Sequence, residues 1–397
     1  MAGGAAPPVG AGRLCYVRGV RILIVTPWFP TTALPHSGVF VVRDAVALSG
    51  RHSVRVIHLV SPQHLGPDPR SARVRDIPVT RVPMSRANPL HWLRAARTVR
   101  AAARAADVVH TQAISGLLPF ALARPSRTAA WVHTEHWSAL TTPGTLPRWA
   151  RPFIRPISRL LARPDVVTAV CERLAAPIRA VRTGPVRVIG CVVAAPAGLV
   201  DLAPQPGPLA LVGVGALVPR KGPLMAVRTV AELVDRGVDA RLTWVGDGPQ
   251  RADAVALARD LGVGERLTLT GSLDDAGVRA RLDAARLMLI PTLGDNFCTV
   301  VAEALSHGRP VVSGIETGAS EYTAPAVGAF VADQTPGAYA DAVQAVLAST
   351  SKMSAADVAA TLGDQFWPAN VAGAYTRIYE DVVGGALRPA PGGTHAK

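Results

Sequence analysis

Lysine is nearly missing from this 397-residue chain: three lysines stand against 39 arginines, and none precedes Ala203. Long apolar runs are missing too. None reaches the roughly 18 residues that a membrane-crossing helix needs. Aromatic residues make up only 5% of the chain, which leaves few platforms for stacking nucleobases and no recognisable nucleic-acid reading motif. The four cysteines (Cys15, Cys171, Cys191, Cys298) are scattered without ligand spacing. No Asp-x-Asp loop or His/Cys cluster accompanies them, so no metal site is expected and a reducing cytosol is the simplest setting. The opening Met1–Pro8 stretch lacks a charged start followed by an apolar core, unlike a signal peptide.

What is present is apolar and basic. Hydrophobic residues make up 49% of the chain, enough for two cores of ordinary size. The net charge of +14 is unevenly divided: up to Ala203 there are 26 arginines and 8 acidic residues, a net +18, and the remainder carries 16 basic and 20 acidic residues, a net −4. That asymmetry predicts an anionic partner for the first half, although arginine usage in a GC-rich genome accounts for part of it.

Apolar strand-like runs alternate with Ala-rich helical segments throughout. Arg21 to Thr26, Val54 to Val60, Val79 to Val82, Val108 to Thr111, Ala129 to Thr134, Val166 to Val170 and Val186 to Ile189 read as strands of a first unit. Leu209 to Val214, Arg241 to Val245, Leu267 to Thr270, Leu287 to Ile290 and Pro310 to Val312 read as a second. Continuous apolar strands separated by helices predict parallel sheets covered on both faces. The expected division is an N-terminal disordered extension (1–19), an acceptor-side Rossmann-like domain (20–193), a Pro-rich linker (194–208), a second Rossmann-like domain (209–365), a closing helix (366–383) and a disordered tail (384–397). Ligands of such sheets bind beyond the carboxyl ends of the strands.

The most informative block is Asp295-Asn-Phe-Cys-Thr-Val-Val-Ala-Glu303. It follows the buried-strand run Leu287 to Pro291 and leads into a helix expected from Thr299 to His307, stopped by Gly308. The first acid therefore precedes the helix and the second lies one to two turns inside it. Unpaired N–H groups at a helix start hold anions. Two hydroxyl-accepting carboxylates beside such a cradle suit a sugar diphosphate.

With that block, Val212-Gly-Val-Gly-Ala-Leu-Val-Pro-Arg-Lys-Gly222, Val245-Gly-Asp-Gly-Pro249, Leu269-Thr-Gly-Ser272 and Ile290-Pro-Thr make the second half resemble the nucleotide-sugar domain of GT-B glycosyltransferases. The family is the large retaining Glu-x7-Glu one, glycosyltransferase family 4 or "group 1". The first half resembles the acceptor domain more loosely, through Thr26-Pro-Trp-Phe-Pro, Ser37-Gly38, Asp107-Val-Val-His and His133-Thr-Glu-His136-Trp. The resemblance implies the GT-B fold, two doubly wound domains facing across a cleft, with the closing helix crossing back to the first. It implies a nucleoside-diphosphate sugar as donor, no cofactor, no metal, and a carbohydrate, lipid-linked or small-molecule acceptor. By the same resemblance Lys221 neutralises the departing diphosphate, Glu303 accepts both ribose hydroxyls, and Asp295 stands for the usual glutamate facing the donor sugar. Ala216 occupies the position of a second family arginine, for which Arg220 is the substitute candidate. His136 matches a cleft histidine, with His133 as the competing alignment. Gly38, Gly246 and the amides of Phe297, Cys298 and Thr299 are further donor-site candidates, although the Phe297 ring also reads as core.

Two basic series remain. Arg94, Arg97, Arg100 and Arg104 follow Trp92-Leu93, and Arg148, Arg151, Arg155, Arg159 and Arg163 run alongside Trp149 and Phe153. They suit either a peripheral dock on the inner face of an anionic membrane or a solvated face above a packed one. Pro152 and Pro156 prevent the second series from forming one ideal helix. Other readings of the whole chain are a nucleotide-sugar epimerase on the same fold, a basic nucleic-acid binder, and a non-catalytic scaffold.

Overall fold

The structure is a computed structural model that describes residues 19–201 and 207–387. The expected N-terminal extension lies outside the described residues apart from Gly19, as do the middle of the linker and the tail beyond Leu387.

Two sheets form. The first comprises β1 (Arg21–Thr26), β2 (Ser53–Val60), β3 (Ser71–Val74), β4 (Ile77–Pro83), β5 (Val108–Gln112), β6 (Ala130–Glu135), β7 (Val166–Ala169) and β8 (Val186–Val188), in the order β3-β4-β2-β1-β5-β6-β7-β8. Every pairing is parallel except that of β3 with β4. The second sheet comprises β9 (Leu209–Val214), β10 (Ala240–Val245), β11 (Leu267–Gly271), β12 (Leu287–Ile290), β13 (Val311–Gly314) and β14 (Gly328–Val331), all parallel, in the order β11-β10-β9-β12-β13-β14. The apolar strands are the buried ones, as expected of sheets covered on both faces: all four residues of β12 are buried, as are residues 22–26 of β1. In each sheet the strand order reverses at the first strand, β1 or β9, which places a crevice beyond its carboxyl end.

The Pro368–Val383 helix returns to the first lobe. Its Val371, Tyr375, Ile378 and Tyr379 are buried in a cluster with Ile22, Ile24, Val41 and Val132. Polar contacts fix its register on that lobe. Tyr379 Oη lies 2.7 Å from His110 Nδ1, Tyr375 Oη 3.2 Å from Thr134 Oγ1, and Thr376 Oγ1 2.8 Å from His52 Nε2. Burial, with His133 and His136 nearby, pushes His110 down to about 3, so it is neutral at pH 7.

The second basic series is broken as its prolines require, into 3-10 turns at Arg148–Phe153 and Arg159–Ala162 around a five-residue α-helix, Ile154–Ser158. Leu161 packs inward, but Trp149 is 75% and Phe153 56% exposed. No helix among the described residues is long and apolar enough to cross a membrane.

Candidate functional site between the two lobes

Lys221 lies in the turn between β9 and the Pro223–Asp235 helix, within the loop where the second sheet reverses. Its Nζ donates to Asp295 Oδ2 at 2.5 Å. Arg220 converges on the same group, donating from one guanidinium nitrogen to Gly294 O at 2.6 Å and to Asp295 Oδ2 at 3.3 Å. Adjacent in sequence, the two cations therefore meet around one carboxylate. Burial opposes charge on both partners of the Lys221–Asp295 pair, but their attraction wins: Lys221 is held above its ordinary range and Asp295, with Arg220 also beside it, below its own. Asp295 Oδ1 accepts from Cys298 N at 3.2 Å.

That last bond engages one of the three amides named as donor-site candidates. The Cys298 amide is turned onto Asp295, and Cys298 itself adopts a left-handed backbone (φ 55°) to cap the Thr299–Ser306 helix. Its thiol is buried and pushed up to about 12, chiefly by desolvation, so it is an inert thiol at neutral pH. The Phe297 ring is core, not site: it is 3% exposed and packs against Phe366 and Tyr322 at centroid distances of 4.8 and 5.0 Å. Thr299 is half-buried at the helix start, with its hydroxyl near the Cys191 thiol.

Glu303 faces the interlobe gap, in a small pocket shared with Arg43, Ala194, Val214, Asp275 and His307. Arg43, from the Val39–Ser49 helix of the first lobe, donates to Glu303 Oε1 at 2.5 Å and reaches Asp275 Oδ1 at 3.4 Å. Sequence reasoning missed Arg43. No local signal marks an ion pair whose partners are 260 positions apart.

His136 follows β6, with its ring 4.6 Å from that of Phe40 and 6.2 Å from that of Trp28. Its Nε2 lies 2.8 Å from Gln112 Oε1. Burial pushes His136 down to about 4 despite Glu135, so it too is neutral at pH 7. Its backbone carbonyl accepts from Asn296 Nδ2 at 3.0 Å, which ties it to the Asp295 loop. His133 is instead sealed in the sheet, between Thr111 Oγ1 at 3.0 Å and Glu135 Oε2 at 3.2 Å. Glu135 is equally buried and accepts from the backbone N–H groups of Ile114, His136 and Trp137, a purely architectural use.

The two glycines are explained by backbone packing. A Cβ on Gly38 (φ 67°) would lie 2.2 Å from Trp28 O, and one on Gly246 (φ 136°) 2.1 Å from Gly215 O. Each permits close approach of two loops at the cleft. Glu321 closes the Gly318–Glu321 turn, a stretch that resembles the family's Gly-Gly-x-x-Glu loop beside the donor sugar. Its carboxylate accepts from Glu172 N and Arg173 N, each at 2.6 Å, and so caps a first-lobe helix from the second lobe.

A further cavity of about 410 Å³ opens beyond the carboxyl ends of β1, β2 and β4. Trp28, His58, Ser61, His64, Ser85 and Arg86 are among its walls, and no Asp or Glu lines it among the described residues. Burial pushes His58 down to about 4. Behind it the buried Arg81 donates to Pro69 O and Pro30 O.

Two doubly wound lobes facing across a cleft, with a final helix crossing back, are the GT-B fold. Sucrose-phosphate synthase from Thermosynechococcus elongatus superposes with a TM-score of 0.76 at 18% identity, covering 92% of this chain and all of that one. Anabaena HepE, solved with UDP and glucose, superposes at 0.68 and 16% identity, covering 90% and 99%. Residues 208–349 match the family described as "Glycosyl transferases group 1", and residues 37–191 match "Glycosyl transferase 4-like domain". The chain belongs to the group 1 glycosyltransferase family. Among named relatives it is 32% identical to 2-deoxystreptamine glucosyltransferase of Streptomyces kanamyceticus over 46% of this chain and 51% of that one. It is 30% identical to D-inositol 3-phosphate glycosyltransferase of Frankia alni over 61% and 65%. The chain thus spans about half to two thirds of the length of these two relatives.

Proposed function

We propose that the chain is a retaining glycosyltransferase that moves a sugar from a nucleoside diphosphate to an acceptor hydroxyl. The observation that carries this reading is the convergence of Lys221 and Arg220 on Asp295 within the cleft that also holds Glu303. Cations gathered on a carboxylate are preorganised to receive a second anion. A diphosphate gains charge as its glycosidic bond breaks, and fixed cations stabilise that charge without reorganising. Glu303 then accepts the ribose hydroxyls, in exchange for Arg43, and Asp295 accepts hydroxyls of the donor sugar. The departing phosphate takes the acceptor's proton on the same face, so positioning and electrostatics supply the acceleration.

The first-lobe cavity is read as the acceptor side. An aromatic wall with serine hydroxyls and neutral imidazole suits a polyhydroxylated ring, and the lack of lining carboxylates disfavours a polyamine. An acceptor pocket also favours transfer over epimerisation, which needs none. Exposed Trp149 and Phe153 among arginines support a lipid-linked acceptor met at an anionic membrane face.

The deciding experiment incubates the protein with a panel of UDP-, GDP- and ADP-sugars and follows slow donor hydrolysis, then transfer to cyclitols, with the product anomer read by NMR. Axial retention with one nucleotide strongly preferred is the expected result. No hydrolysis or transfer from any donor would overturn the reading.

A further inference from the structure

Behind His136 runs a polar chain that the proposed transfer does not use. Gln112 ends β5 and is fully buried, and its Oε1 faces His136 Nε2 at 2.8 Å. A carbonyl oxygen only accepts, so in this arrangement Nε2 carries the hydrogen and Nδ1 keeps its lone pair. Everything then depends on which way the amide points, and its other end decides that. Asp44, on the Val39–Ser49 helix and 2% exposed, lies there. Burial raises its pKa, and the nearby Val192 backbone N–H and Gln112 amide partly offset that rise. Asp44 Oδ1 and Gln112 Nε2, an acceptor and a donor, are both buried and neither has a hydrogen-bond partner among the described residues, so their mutual electrostatics fall unscreened on the amide. A flipped amide would set its carbonyl oxygen against the carboxylate and its NH₂ against His136. Repulsion between the two oxygens, unscreened by water, penalises that arrangement.

We infer that Gln112, oriented by Asp44, is a positioning residue that fixes His136 as its Nε2–H tautomer and leaves Nδ1 to accept a hydrogen bond from a ligand hydroxyl. The ligand part of this inference rests on the glycosyltransferase reading. Because His136 is neutral at pH 7, its tautomer, not its charge, is what the site controls. Besides Gln112 and Val192, the groups that interact electrostatically with Asp44 are Arg43, Cys191, Tyr375 and Tyr379, of which only Arg43 carries charge near neutrality. Asp44 is pushed up to about 7, chiefly by burial, so the arrangement is best read at pH 8, where it is ionised.

The test is a long-range proton–nitrogen NMR spectrum of histidine-labelled full-length protein at pH 8, with His136 assigned by its loss in His136→Asn. The expected wild-type signature is a protonated Nε2 and a bare Nδ1. Gln112→Met should yield a tautomer mixture. So should Asp44→Asn, which keeps the side-chain size and serves if the first variant fails to fold. Turnover should fall about tenfold in both variants with donor KM changed less than threefold, as expected when geometry and not affinity is lost. An Nδ1–H tautomer in the wild type, or an unchanged Nε2–H tautomer in both variants, would overturn the inference. Tautomers are read without turnover, so a failed transfer assay bears on the proposed function alone.

Discussion

The two lobes share a topology and divide their charge in opposite ways. The chain up to Ala203 carries a net +18, yet beside His136 the first lobe's wall of the cleft is neutral, with Trp28 and Phe40, and Arg43 is the cation that meets Glu303. The second is net acidic and presents Lys221 and Arg220 to the same space. Net charge describes the outside of a lobe, whereas site charge is set by a few loops at strand ends. The sequence asymmetry predicted an anionic partner for the first half, but the cations gathered beyond a sheet's switch point belong to the second.

The sharpest way to break this contrast is to remove charge from each lobe in turn. Lys221→Ala should lower turnover by roughly 10²–10³-fold, whereas Arg97→Ala on the outer face of the first lobe should leave soluble-acceptor turnover within twofold in steady-state assays. The next effect is on stability against pH. His58, His110 and His136 have folded pKa values of about 4, 3 and 4, below the ordinary 6.5, so the unfolded chain binds more protons and stability falls as pH drops below 6.5. Asp44, raised to about 7, acts in the opposite direction over much of that window. Three groups against one should cost roughly 2–3 kcal/mol per pH unit between 6 and 4.5, read by urea denaturation, and His58→Asn should flatten the slope. Smaller again, Tyr379→Phe strips His110 Nδ1 of its buried partner and should cost about 1–3 kcal/mol in the same measurement. Smallest is Arg43→Ala. The pair with Glu303 is part-exposed, so little stability should be lost, and nucleotide should bind a few-fold tighter once Glu303 is freed.

Much of this was legible in the sequence where one residue type has one use. The Leu287–Ile290 and Arg21–Thr26 strands, the helix after Thr299 and the buried face of the closing helix follow from period and composition alone. β3 and β14 escaped because they are short and only partly buried, so they carry little apolar signal. Lys221, Asp295, Glu303 and His136 were found by resemblance, and all four lie at the seam between the lobes. What failed was long-range. Phe297 was split between site and core, and only Phe366 and Tyr322 settle it. The close approach of Gly38 to Trp28 O joins two loops distant in the local pattern. Arg43 and Glu321 act on partners 260 and 149 positions away, which no local pattern encodes.

The central claim is that the second lobe binds a nucleoside diphosphate through Lys221 and Glu303. Calorimetric titration of UDP and GDP into the wild type, Lys221→Ala and Glu303→Ala tests it most directly. Saturable one-to-one binding of one nucleotide, weakened at least tenfold in each variant, is the predicted result. Equal affinity in all three proteins, or binding of neither nucleotide to the wild type, would contradict it.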